Sequence, residues 1–185
     1  MKYFLDTEFI ERGNKYPLEL ISIGIISEDG REFYAISSEF EKRHANKWVR
    51  ENVLPHVTFK VEEIDVFSGG SPRRSWEFSR VMSLKQIVKE IKEFVGLNPE
   101  FWGYYADYDW VIFCQLFGSM IDLPEGWPMF CMDLKQLVIE RGNPKLPELP
   151  PKFGFDIKHH ALYDARKIKF RYEWLINMQI ISEEF

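Results

Sequence analysis

The chain has 185 residues, 45% hydrophobic and 29% charged, the composition and size of one folded domain rather than a disordered or fibrous chain. A net charge of −5 argues against a protein that coats long nucleic acid, because that affinity comes from Lys and Arg neutralising phosphates. No apolar run reaches the roughly 18 residues that suggest a membrane span, and Met1-Lys2-Tyr3 leads straight into strand-like sequence, so we expect a cytoplasmic protein with no membrane partner.

Residues 2–7 alternate and lead into Glu11-Arg-Gly-Asn-Lys15, a first strand and its turn. The β-branched run Leu18–Ile26 ends at Glu28-Asp-Gly30, a hairpin signal, and Arg31–Ser37 resumes as a third strand. Phe40, His44, Trp48 and Val53 recur at helical spacing over 40–53, and Pro55 stops that pattern. Residues 56–82, with Phe67-Ser-Gly-Gly-Ser-Pro-Arg-Arg74, read as a long surface loop.

Ser83 and Gln86 form a capping box for a helix whose stripe is Leu84, Ile87, Val88, Ile91, Phe94 and Val95, ending at Gly96. A strand over Phe101–Tyr105, a helix over Tyr108–Phe117, a short strand over Met129–Met132 and a helix over Asp133–Arg141 follow. The prolines from Pro144 to Pro151 form a linker, and Ala161 to about Ile181 closes the chain as a long helix. A meander followed by alternating helices and strands predicts an α/β domain over 1–181, a mixed central sheet flanked by helices, with a frayed tail at 182–185. Cys114 and Cys131 lie in apolar surroundings without metal-ligand spacing, which reads as buried, reduced thiols.

Three acidic groups stand out. Asp6 and Glu8, two apart on a strand, leave the same face. Asp107 and Asp109 follow a second strand where a helix begins, and His159, His160 and Asp164 flank the start of the closing helix. Each is unremarkable alone: turn sequence, helix N-terminal acids, a surface histidine. Together they supply what two-metal phosphoryl chemistry needs, carboxylates from separate elements converging on ions about 3.5–4 Å apart and a base for the attacking water.

Asp6-Thr-Glu-Phe9, Tyr105-Ala-Asp-Tyr-Asp109 and His159-His-Ala-Leu-Tyr-Asp-Ala165 resemble the three motifs of the DEDDh exonucleases. The second departs from the family's usual opening Asn at Tyr105, and Tyr108 selects Asp109 over Asp107 as its acid. Tyr3–Glu11, Leu18–Gly24, Glu28–Glu32, Trp48-Val-Arg50, Val53-Leu-Pro55 and Cys114-Gln-Leu116 are similar to the small polyadenylate-specific exoribonucleases, the RNase AS family.

The resemblance implies an RNase H-like fold and a homodimer acting on 3′ ends of single-stranded RNA. It also implies two Mg²⁺ or Mn²⁺ ions on Asp6, Glu8, Asp109 and Asp164, His159 as general base, and nucleoside 5′-monophosphate products. Thr7 and Phe9 are expected to meet the terminal nucleotide, with His160 structural. Glu19 is a candidate reader of an exocyclic amine such as adenine's, and Arg73, Arg74 and Arg80 are candidates for upstream phosphates. An exodeoxyribonuclease using the same metals, or a catalytically silent nucleic-acid-binding protein, remain the alternatives.

Overall fold

The computed structural model describes residues 1–57, 81–150 and 158–183, with side chains as far as Met178. Three antiparallel strands open the chain: β1 (Lys2–Ile10), β2 (Glu19–Ser27) and β3 (Glu32–Ser37). The short β4 (Val81–Met82) joins β3 in parallel, while β5 (Glu100–Gly103) and β6 (Met132–Asp133) extend the sheet in parallel beyond β1. The result is a six-stranded mixed sheet of order β4-β3-β2-β1-β5-β6, flanked by helices in an RNase H-like arrangement.

The expected helix over 40–53 is broken into a 3₁₀ turn at Lys42–His44, α1 (Lys47–Asn52) and a single turn α2 (Leu54–Val57). The break falls where the Asn46 side chain accepts from the Val49 N–H and starts a new helix. Pro55 does not end the structure, because in a first turn the absent N–H has no helical partner to lose. Trp48, read as part of the apolar stripe, is instead 52% exposed, and Ala45, Val49 and Val53 face the core.

The capping box forms as predicted at the start of α3 (Leu84–Phe94). Next come α4 (Asp107–Phe117), α5 (Leu134–Glu140) and the closing α6 (Ala161–Glu183), which runs past the expected Ile181. The strand expected over Met129–Met132 shrinks to β6, shifted toward the chain end. Cys114 is buried and Cys131 partly so, and both are free thiols.

Alternation along β1 divides the core. Tyr3 and Leu5 pack with Ile87, Ile91, Ile112 and Phe113 of α3 and α4, while Phe4 packs with Leu134, Val138, Ala165 and Ile168 of α5 and α6. Asp6 follows Phe4 on the α6 face, so the polar end of β1 emerges where the closing helix begins. Among the described residues, no helix is long and apolar enough to cross a membrane.

Candidate active site

Asp6, Glu8 and Asp164 each offer a carboxylate oxygen within 4.8 Å of the others. The first two reach this point by strand alternation near the end of β1, where a register shift against β2 between Glu8 and Phe9 interrupts the regular ladder. Asp164 comes from the first turn of α6, where its N–H donates to the carbonyl of His160. Hard carboxylate oxygens at this spacing suit a divalent cation such as Mg²⁺ or Mn²⁺.

The electrostatics carry the same signature. Burial first, then the charges of Asp109, Asp164 and Glu8, pushes the Asp6 carboxyl well above its ordinary range, and Lys167 opposes this. Burial, with Asp164 and Asp109, pushes Glu8 up to about 8. Acids held this close without protonation need a positive partner.

Asp109 is buried in the first turn of α4 whereas Asp107 is exposed. Its Oδ1 accepts the Thr7 N–H at 2.8 Å and the Thr7 hydroxyl at 2.5 Å, so it borders the three-carboxylate group rather than joining it. Burial raises its carboxyl to about 6, with the Thr7 bonds pulling the other way. Thr7, expected at the substrate, is itself buried and clips β1 to α4. Phe9 stacks on the half-exposed Tyr108 with centroids 5.5 Å apart.

Asp133, which the sequence reading did not single out, holds α4 in place. Its side chain accepts from the N–H groups of Tyr105 and Ala106 at 3.2 Å and caps α5 through Lys135 N–H at 2.6 Å. An Asp directly before a helical stripe is a legible N-cap, but its second use, on a loop 28 residues earlier where Tyr105 sits at φ 54°, is not. Asp133→Ala is expected to cost about 2–3 kcal/mol, a lost cap plus amides left without acceptors. Denaturant midpoints check this, and an unchanged midpoint would exclude the double role.

His159 lies just before α6 at φ 59°, outside the helix as expected, and its ring and the Trp48 indole meet at 78° with centroids 4.8 Å apart. With Asp164 it lines an open cavity of about 370 Å³. His160 stacks on Tyr34 at 4.5 Å, and burial lowers its pKa, so it packs as a neutral ring.

Glu19 lies elsewhere in a network of its own: one oxygen meets Arg12 at 2.8 Å and His44 at 2.7 Å, and the other accepts the Glu41 N–H. That carboxylate ties the β1–β2 loop to the segment after β3, which leaves little of it to read a base. Arg73, Arg74 and Arg80 lie outside the described residues.

A mixed sheet with carboxylates from its central strand and closing helix defines a candidate metal-assisted hydrolase of the RNase H-like architecture. No protein-family model matches the chain. Two proteins named 3′-5′ exoribonuclease do, from Mycobacterium tuberculosis strains CDC 1551 and H37Rv, each 40% identical over 170 residues covering 90% of this chain and 88% of the relative. The chain belongs to this 3′-5′ exoribonuclease family.

Proposed function

We propose that the protein is a DEDDh 3′→5′ exoribonuclease of the RNase AS type that shortens single-stranded RNA, preferring adenylate-rich 3′ ends, to nucleoside 5′-monophosphates. The observation that carries this reading is the convergence of Asp6, Glu8 and Asp164, with Asp109 behind Thr7, in a chain 40% identical to named 3′-5′ exoribonucleases.

Asp6, Glu8 and Asp164, with Asp109, would hold two divalent cations, which when bound supply a nucleophilic water at neutral pH and stabilise charge at the reacting phosphorus. His159 takes the proton of the attacking water, and the 3′-oxygen leaves with the shortened strand. The Phe9–Tyr108 stack offers the terminal base an aromatic face beside the carboxylates. Thr7 holds Asp109 in a fixed rotamer, so one acid of the set costs little reorganisation during the reaction.

Trp48 would act through His159. The near-perpendicular ring contact limits where the imidazole can point, and because Trp48 is half exposed its removal should barely affect folding. Trp48→Ala is therefore expected to lower turnover by about tenfold with the melting temperature nearly unchanged, and Trp48→Phe to restore part of the loss. Full turnover in Trp48→Ala would show that His159 is oriented by something else.

The test of the function itself is stepwise shortening of 5′-labelled A, C and U homopolymers, with a DNA strand as control, in Mg²⁺, Mn²⁺ or chelator. Asp6→Ala and His159→Ala are run alongside. Metal-dependent shortening of RNA, strongest on A and lost in both variants, is the expected result. Shortening of DNA alone would replace the reading with an exodeoxyribonuclease, and no cleavage with a binding protein.

A further inference from the structure

The cavity beside His159 is lined by Glu148, Lys158, His159, Asp164, Lys167 and Arg171. In a chain of net charge −5 this is a concentration of cations, directly against the carboxylates. Asp164, Lys167 and Arg171 form one stripe of α6, three and four residues apart, so the cavity runs along the helix away from the carboxylates, about 5.4 Å for each turn. That is the scale of one nucleotide step.

Arg171 is spoken for: it donates to the Pro147 carbonyl at 3.1 Å and pairs with Glu148 at 3.5 Å, fixing the far rim. Lys167 differs. Its side chain is 17% exposed, its ammonium 3.2 Å from Asp164 and 5.1 Å over the Tyr163 ring, so a largely desolvated cation is held in one place with the cavity in front of it. Lys158 supplies a second, exposed ammonium from the segment leading into His159. An ammonium is a compact point charge that binds phosphate oxygens without demanding a planar fork.

We infer that Lys158 and Lys167 seat the phosphodiester immediately 5′ to the scissile one, and so direct single-stranded RNA along α6. This rests on the exoribonuclease reading above. It assigns to described residues the upstream-phosphate role that the sequence suggested for Arg73, Arg74 and Arg80.

The test compares two 5′-hydroxyl substrates, the dinucleotide ApA, whose only phosphate is the scissile one, and the trinucleotide ApApA, which adds the upstream phosphate. The quantity read is the ratio of kcat/KM on ApApA to that on ApA, for wild type, Lys158→Ala, the Lys158→Ala/Lys167→Ala double variant and Lys167→Arg. Any loss through the Lys167–Asp164 contact falls on both substrates and cancels in the ratio.

Wild type is expected to favour ApApA, the double variant to lose that advantage by about tenfold or more, Lys158→Ala to lose part of it, and Lys167→Arg to keep most of it. ApApA with a neutral methylphosphonate at its 5′ linkage should behave toward wild type as ApA does. A ratio equal in wild type and double variant, or no trinucleotide advantage in wild type, overturns the assignment while leaving the exoribonuclease reading intact. A wild type that cleaves no RNA overturns both, and is recognised before any variant is compared.

Discussion

Replacing Glu8 with glutamine is expected to lower RNA cleavage by about a thousandfold and, in the same protein, to raise the melting temperature at pH 8 when divalent ions are chelated. The loss follows from removing one donor of the cation site, since stabilisation of the reacting phosphate by bound cations amounts to several kcal/mol and each 1.4 kcal/mol is about tenfold. The gain follows from the Glu8 pKa, about 8 in the folded protein against 4.5 for a free carboxyl. The folded state holds this proton more tightly than the unfolded state. The stabilisation is therefore fully present below about pH 4.5 and lost as pH rises through about 8.

Asp109, raised to about 6, acts in the same direction, as does Asp6. Wild type in chelator should thus melt progressively lower from pH 5 to pH 8, by something on the order of 5 °C or more, and Glu8→Gln should flatten that slope. Saturating Mn²⁺ should restore wild type at pH 8 by mass action and do far less for the variant. Thermal unfolding across pH with and without Mn²⁺ reads all of this. A wild-type melting temperature that does not fall with pH in chelator would mean that Asp6, Glu8 and Asp109 are not crowded together away from water.

The elements were legible where a local pattern has a single physical meaning. The Ser83–Gln86 box marks a helix start whatever surrounds it, and the two-residue spacing of Asp6 and Glu8 puts them on one face of any strand. The convergence of Asp6, Glu8 and Asp164 was expected for a different reason: two-metal chemistry needs acids from separate strand and helix ends, and these three stand at such ends.

What the sequence withheld depends on partners distant in the chain. Helical spacing groups Trp48 with Val53, yet the start of a new helix at Asn46 turns Trp48 outward to His159, more than a hundred residues later. Thr7 sits among the site residues in sequence, but whether its hydroxyl faces substrate or Asp109 depends on where α4 docks. Lys167 is one of two lysines on α6, both largely buried, and only the contacts with Tyr163 and Asp164 separate it from Lys169, which pairs with Glu173 instead.

Gly24 is the sharpest case, and its replacement by alanine is the second large effect expected. Within the run Leu18–Ile26 it looks like a flaw in a strand, since glycine adds backbone entropy and packs nothing. In the fold it lies opposite Asp6 in the antiparallel register, and a Cβ there would fall 2.3 Å from the Leu162 nitrogen and 2.4 Å from the Ala161 carbonyl carbon. Both atoms are backbone of the first α6 turn, so no side chain can rotate away.

The absence of a side chain at Gly24 therefore lets α6 descend onto the sheet at the one place where Asp164 must reach Asp6 and Glu8. In Gly24→Ala the helix start must lift by about 1 Å, which overpacks the core by about 3 kcal/mol and displaces Asp164 and His159 together. Turnover should fall by about a hundredfold, and Mn²⁺ should stabilise the variant less than wild type because one of its donors has moved. A Gly24→Ala protein with wild-type melting temperature, turnover and Mn²⁺ response would mean that α6 does not rest on β2 at this point. The convergence of Asp164 with Asp6 and Glu8 would then need another cause.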